Sequence, residues 1–356
     1  MKGSFRHLAA ATFATGLLIG GLLAPSITNA ADYVLKFGHV SAPSPEADDH
    51  LMAVFVKSYV ESRSQGRIKV EIYPSGQLGN FREMLEQVRA NTLELTSTTV
   101  DGIAGFMPEI QVTDLPYILR DDFVAEKLME SKFWTDVQKE VLKRTGNIRL
   151  VAVGNTGSWR NFATTKRMVK TAADLKGLKL RTIASDLQIQ FVKELGASAT
   201  PIPWNELYTA LATGIVDGTK NSIGDYIPMG MAEPLKHIIL DGHTYIFGFA
   251  WMSDAWLKKL PPDLRNVVID AVQLSVGVQT NFNKSYQSLA SQKWLDMGNT
   301  IYVPNETERA TFLVARERMQ EWYANKYGKV WLGKWLQAIA EAEAAVDTAR
   351  KQALAD

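Results

Sequence analysis

A repeat of apolar residues from Pro262 to Met297 sets the strongest limit on the fold of this chain. Its hydrophobic side chains recur every three or four positions until Gly298, which predicts one uninterrupted helix. At about 1.5 Å per residue, such a helix is about 50 Å long. This length exceeds that of a single compact lobe, and 356 residues are enough for two such lobes.

A second region, residues 171–221, has the pattern of an open α/β unit. Residues 179–183 predict a short strand, and a helix is predicted from Pro203 to Gly214 with Trp204 at its start. Arg181 then lies near the carboxyl end of the strand, where open α/β sheets bind ligands. An arginine in this place also fits a solvated strand-end charge, so the unit favours a binding site without establishing one.

Two long stretches carry a family resemblance. GLKLRT followed by LGASATPIPWNELYTALATGIVDGTKN, together with PSGQLGNFREMLEQVRANTLEL, resembles the DctP-type substrate-binding proteins of tripartite ATP-independent periplasmic (TRAP) transporters. The resemblance covers essentially the whole chain after residue 30. It implies an α/β fold with two lobes, the periplasmic-binding-protein-like or Venus flytrap arrangement, with the long helix spanning both. Lobe I would comprise 31–157 and 247–286, and lobe II 158–246 and 287–356.

The resemblance also implies which residues hold a ligand. Arg181 matches the family's arginine that forms a two-point salt bridge with the substrate's carboxylate, and Arg160 matches a second positive donor of the pocket. Five more residues are expected to contact the ligand. Asn221 would provide an amide, Trp204 and Trp251 would form apolar walls, and His39 and Thr99 would approach from the first lobe.

The first 30 residues predict a cleavable secretory signal peptide. Lys2 and Arg6 precede an apolar run, Pro25 breaks it, and small residues end it at Ala30. Removal of this segment leaves 39 − 2 = 37 basic against 38 acidic residues, a net charge of −1. This balance gives no indication of a nucleic-acid partner, and the absence of cysteine excludes disulfides and thiolate chemistry. We therefore expect a periplasmic protein of a Gram-negative bacterium.

The common catalytic and cofactor motifs are missing from the sequence. It contains no Gly-x-Ser-x-Gly, His-Glu-x-x-His, P-loop or Gly-x-Gly-x-x-Gly pattern, so neither an enzyme nor a bound cofactor is expected. Asp48-Asp49-His50 resembles a set of metal ligands, but adjacent helical residues diverge in direction. We interpret it as the solvated first turn of a helix, with no metal.

The predicted function is that of a monomeric extracytoplasmic solute receptor. It would bind a small organic anion between the lobes and deliver it to the small and large membrane subunits of a TRAP transporter, driven by an ion gradient. Two alternatives stay open: a periplasmic enzyme that uses the same cleft, and an input protein for a signalling receptor. Sugar acids, dicarboxylates, 2-oxo acids, aromatic acids and sulfonates all fit a site with one or two arginines.

Overall fold

The structure, a computed structural model, describes residues 31–353, so the predicted signal peptide lies outside the described residues. A single twisted sheet runs through this part of the chain. Its strands are β1 (Tyr33–Gly38), β2 (Ile68–Tyr73), β3 (Leu95–Thr98), β4 (Ile148–Thr164), β5 (Lys179–Thr182), β6 (Ser198–Pro201), β7 (Gly218–Asn221), β8 (His237–Ile239), β9 (Thr244–Ser253) and β10 (Thr300–Tyr302).

The sheet joins the two lobes through the long strand β4. The strand order is β2-β1-β3-β9-β4-β7-β5-β6, with β8 paired to both β4 and β10. The first part of β4 pairs antiparallel with β9, and its last residues pair with β7, where Asn161 lies opposite Asn221. The pairing with β9 is irregular between Asn155 and Trp159, where Gly157 adopts a φ of +95°. Glycine permits this backbone conformation at the crossing between the lobes.

Helices cover the faces of the sheet. No helix between residues 31 and 353 is both long enough and apolar enough to cross a membrane. The helices are α1 (Asp48–Arg63), α2 (Phe81–Arg89), α3 (Val100–Ile103), α4 (Asp122–Met129), α5 (Phe133–Thr145), α6 (Asp186–Glu194), α7 (Leu207–Ala212), α8 (Ile223–Tyr226), α9 (Asp254–Lys259), α10 (Pro262–Asp296), α11 (Glu306–Leu313), α12 (Ala315–Tyr327) and α13 (Lys329–Ala353), with 3₁₀ turns at Pro108–Asp114, Ala172–Leu175 and Trp204–Glu206.

The long helix predicted from the apolar repeat is confirmed as α10, which starts with Pro262 in its first turn and ends at Asp296. Its first half packs with α1, β1, β2 and β9 through Leu264 and Val268. Its second half packs with α7 and α8 through Ala290 and Trp294. One helix therefore contributes to the cores of both lobes of an α/β protein.

The middle of α10 differs from the sequence prediction. Leu274 and Leu289, expected on the packed face, are half exposed at 50% and 52%. The buried positions between the two apolar ends are instead polar: Ser275, Gln279 and Asn283. Gln279 and Asn283 donate hydrogen bonds to carboxylates on α1, and Ser275 donates to the carbonyl of Val272 in its own helix. The apolar repeat could not reveal these bonds.

The C-terminal helix α13, which the predicted boundaries assign to lobe II, packs against residues of predicted lobe I. Trp335 is fully buried against the aromatic side chains of Phe133 and Trp134 on α5, and Lys334 pairs with Asp136 at 2.6 Å. Helix α13 also contacts α12, which belongs to predicted lobe II. The lobe boundaries stay a prediction.

Candidate ligand-binding site

A cavity lies where the two lobes meet, with about 590 Å³ of space free of protein atoms, including the solvent at its mouth. The first lobe lines it from the start of α1 and from the ends of β1 and β3. The second lobe lines it from β4, β5, β7, α8 and the 3₁₀ turn at 204–206. Its lining includes the charged, polar and aromatic side chains of Asp48, Asp49, Thr99, Arg160, Arg181, Trp204, Asn221, Asp225 and Asn283.

Arg181 enters the cavity from β5 and is 1% exposed. Its Nε donates a hydrogen bond to the carbonyl of Ile202 at 2.8 Å, while its Nη2 has no partner among residues 31–353. The guanidinium carbon lies 5.6 Å from the ring centre of Trp204. Burial lowers the pKa of Arg181 to about 10, so the side chain remains a cation at neutral pH. The guanidinium is therefore a buried cation that the protein holds at one nitrogen.

Arg160 supplies a second buried cation from β4 and is 2% exposed. Its Nη1 reaches the carbonyl of Lys220 at 3.4 Å, and its Nε is unpaired within the described chain. Behind it, Lys220 donates to Gln188, and burial moves the pKa of this lysine well below its usual range. The positive charge that faces the cavity therefore comes from the two arginines.

Five of the predicted site residues line this one cavity: Arg160, Arg181, Asn221, Trp204 and Thr99. Asn221 is positioned because it ends β7 beside β4, and Trp204 because its 3₁₀ turn follows β6. The contacts that these residues would make with a ligand stay predictions.

Two predicted residues lie outside the lining. His39 follows β1 but is fully buried, with its Nε2 3.2 Å from Nδ1 of His50, and burial lowers its pKa to about 3. Trp251 lies near the carboxyl end of β9, where its indole nitrogen donates to Thr98 at 2.9 Å in the core. Both were expected to contact a ligand, and the structure brings neither of them into the lining of this cavity.

The interpretation of Asp48 and Asp49 as a solvated first turn is wrong, since they are 7% and 6% exposed. Asp48 accepts hydrogen bonds at 2.9 Å from Thr156, Gln279 and Asn283. These donors come from β4 and α10, so Asp48 ties the start of α1 to the crossing strand and the long helix. The burial of Asp48 and Asp49 could have been suspected from the polar residues at the centre of the otherwise apolar helix α10.

Two carboxyl groups of the cavity have raised pKa values. Asp49 accepts from the hydroxyls of Ser41 and Ser97 at 3.0 Å each, yet burial and the neighbouring Asp48 raise its pKa to about 7. Burial and Asp48 also raise the pKa of Asp225, on α8, well above its usual range, while Arg160 opposes this shift. Within residues 31–353, no group of three or more histidine or acidic side chains is arranged to hold a metal ion.

A two-lobed α/β fold with a charged cavity between the lobes defines a solute-binding protein. Residues 37–329 match the sequence model of the bacterial extracellular solute-binding protein family 7, DctP, and the chain belongs to that family. The family consists of extracellular receptors that bind solutes.

Two curated relatives and one solved structure show the similarity. The 2,3-diketo-L-gulonate-binding periplasmic protein YiaO of Escherichia coli is 30% identical over 72% of this chain and 77% of its own length. The sialic acid-binding periplasmic protein SiaP of Vibrio cholerae is 31% identical over 71% and 77%. A TRAP periplasmic solute-binding protein of Polaromonas, solved with D-erythronate, is 26% identical, with a TM-score of 0.79 over 88% of this chain and 98% of that one.

Proposed function

We propose that this protein is the solute receptor of a TRAP transporter and that it captures a small organic carboxylate in the cavity between its lobes. The observation that carries the proposal is a pair of buried arginines. The Nε of Arg160 and the Nη2 of Arg181 have no hydrogen-bond partner among residues 31–353. A buried cationic donor without a partner is costly, and a bound carboxylate would satisfy both groups. The relatives described above bind 2,3-diketo-L-gulonate, sialic acid and D-erythronate, which are organic acids, and they support this class of ligand.

Arg181 is the main anchor in this proposal. Its planar fork matches the two oxygens of a carboxylate, which the single ammonium of a lysine cannot do. The bond from its Nε to Ile202 fixes the plane of the guanidinium and leaves Nη2 for the ligand. Arg160 adds charge, Asn221 an amide, and Trp204 an apolar wall.

Ligand binding would favour the closed arrangement of the lobes. The cavity is lined from both lobes, for example by Thr99 on one side and Asn221 on the other. A ligand that contacts both sides binds the closed state more tightly than an open one, and this difference in affinity drives closure. The small and large membrane subunits of the transporter would recognise the closed form and take up the solute at the expense of an ion gradient.

After removal of residues 1–30, the mature protein would act as a monomer in the periplasm, without a cofactor and without chemical change of the ligand. A periplasmic enzyme would have to convert the acid that it binds. Recovery of an unaltered ligand after prolonged incubation therefore separates the two functions.

The test is a thermal-shift screen of organic acids on the mature protein, followed by calorimetric titration and mass analysis of the recovered ligand. The panel contains sugar acids, dicarboxylates, 2-oxo acids, aromatic acids and sulfonates. At a hundredfold excess over its dissociation constant, a true ligand stabilises the protein by about 2.7 kcal/mol. Stabilisation by at least one acid, recovered unchanged, is the expected result. A panel without any stabilising acid, or a converted ligand, contradicts the proposal.

A further inference from the structure

A second space of about 540 Å³, including the solvent at its mouth, adjoins the cavity of the two arginines. Val40 and Phe81 of predicted lobe I and Trp204 of predicted lobe II line both spaces. Like the cavity, the second space is therefore lined from both predicted lobes. Because the two spaces share these walls, a molecule bound in one of them lies close to the other.

Arg181 borders on the second space as well as on the cavity. Its Nε donates to the carbonyl of Ile202 at 2.8 Å, and Ile202 lines the second space. Its guanidinium carbon lies 5.6 Å from the ring centre of Trp204, which lines both spaces. The Nη2 of the same guanidinium has no hydrogen-bond partner among residues 31–353. A ligand whose carboxylate pairs with Arg181 thus begins one side chain away from the second space.

The walls of the second space are mainly apolar. Seven of its eleven lining residues are apolar, which is typical of pockets that enclose the apolar part of a small molecule. Besides the three shared side chains, the apolar members are Ala184, Pro201, Ile202 and Pro203. The two prolines restrict the backbone on either side of Ile202, whose N–H donates to the carbonyl of Thr182 at 3.1 Å. This apolar wall is therefore preformed.

Three of the four polar side chains in the second space are engaged by the protein itself. Asn80 caps the first turn of α2 with its side chain. Arg82 donates to Glu86 at 3.0 Å, and Asp101 accepts from the hydroxyl of Thr99. Hydroxyl or carboxylate groups of a ligand would lose hydrogen bonds to water on entering such a space, so it favours an apolar group.

We propose that the ligand is an aromatic monocarboxylate whose carboxylate pairs with the arginines and whose ring lies along Trp204 and Phe81 in the second space. This inference rests on the proposed receptor function and names the class of acid. Aromatic side chains from both lobes favour a ring, since aromatic pairs gain affinity beyond the area that they bury. Burial of a ring against apolar walls strengthens binding roughly tenfold or more.

The test compares acids that share a carboxylate and differ in the rest of the molecule. 3-Phenylpropanoate and 4-phenylbutanoate carry a ring, whereas propanoate, succinate and D-gluconate represent short, dicarboxylic and polyhydroxy acids. Dissociation constants are measured by calorimetry for the wild type, Ala184→Phe and Ala340→Phe. Ala184 is exposed and lines the second space but not the cavity of the arginines, so a phenylalanine there fills the second space. Ala340, an exposed alanine of α13, provides the matched control.

At least one phenyl acid should bind the wild type at least tenfold more tightly than each of the other three acids. Ala184→Phe should weaken the binding of that phenyl acid at least tenfold, because the added ring occupies its place. Ala340→Phe should bind it like the wild type. Melting temperatures of the ligand-free variants show whether they fold, and the wild-type ranking decides the question by itself if Ala184→Phe does not.

Three results overturn the inference. Propanoate, succinate or D-gluconate that binds the wild type as tightly as the phenyl acids refutes the aromatic ligand and leaves the receptor function intact. Unchanged binding of the phenyl acids by a folded Ala184→Phe refutes the second space as the site of the ring. Failure of all five acids to bind refutes the inference, and the thermal-shift screen then decides the receptor function separately.

Discussion

Arg181 is the side chain on which the binding account depends most. Replacement by alanine removes the bond from Nε to the Ile202 carbonyl and the unpaired Nη2, together with the charge beside Trp204. A ligand carboxylate would then be enclosed without its main partner. Removing one member of a buried ion pair costs about 3 to 5 kcal/mol, which at about 1.4 kcal/mol per tenfold weakens binding roughly a hundred- to a few-thousandfold.

Stability without ligand should respond much less. The lost hydrogen bond to Ile202 contributes about 1 kcal/mol to folding, and removal of a buried cation near Arg160 relieves a repulsion that already lowers the pKa of Arg181. Arg181→Lys should retain part of the affinity, since it keeps the charge but loses the planar fork. A large loss of affinity with a small change in melting temperature is therefore the pattern of a ligand-binding residue.

The assay is calorimetric titration of one acid from the thermal-shift screen into wild type, Arg181→Lys and Arg181→Ala, with melting temperatures of the ligand-free proteins. Arg316→Ala, which removes an exposed arginine of α12, is the control and should bind like the wild type. If Arg181→Ala binds as tightly as the wild type, or if it melts far below it without ligand, Arg181 has a structural role and the site assignment is wrong.

Three further predictions concern the mature protein and its cavity. Because the pKa of Asp49 is raised to about 7 in the folded state, the unfolded chain releases this proton at lower pH, and the carboxyl's contribution to stability falls as pH rises from about 4 to about 7. The melting temperature of Asp49→Asn minus that of the wild type should therefore be higher at pH 8 than at pH 5. Equal differences at the two pH values would contradict the raised pKa of Asp49. Small-angle scattering should show a smaller radius of gyration when a saturating acid is added, and an unchanged curve would argue against closure. Intact-mass analysis of the periplasmic protein should show loss of about 30 residues, whereas a full-length chain in the membrane fraction would contradict cleavage.

The parts of the fold that follow from local patterns could be predicted from the sequence. Helix α10 was expected from Pro262 to Met297 and ends at Asp296, because a proline in the first turn and a regular apolar spacing are properties of the segment itself. Arg181 was placed at the cavity because it belongs to a short strand–helix unit whose motif resembles that of a known family. Such features need no knowledge of distant contacts.

Features that depend on distant contacts could not be predicted in this way. Gln279 and Asn283 are buried because they donate to Asp48, which lies more than two hundred positions earlier in the chain. Asp225 reaches the cavity only because α8 packs beside Gly157 at the crossing strand. His39 was expected to contact a ligand, but it lies outside the cavity lining and is fully buried, with its Nε2 3.2 Å from Nδ1 of His50.

The most direct test of the account is a crystal structure of the mature protein with the tightest-binding acid from the screen. We predict that both oxygens of a ligand carboxylate lie within about 3 Å of the Arg181 guanidinium, with Nη2 now paired, and that residues of both lobes enclose the acid. A carboxylate bound elsewhere, or an acid that contacts one lobe while Nη2 of Arg181 stays unpaired, would contradict the central claim.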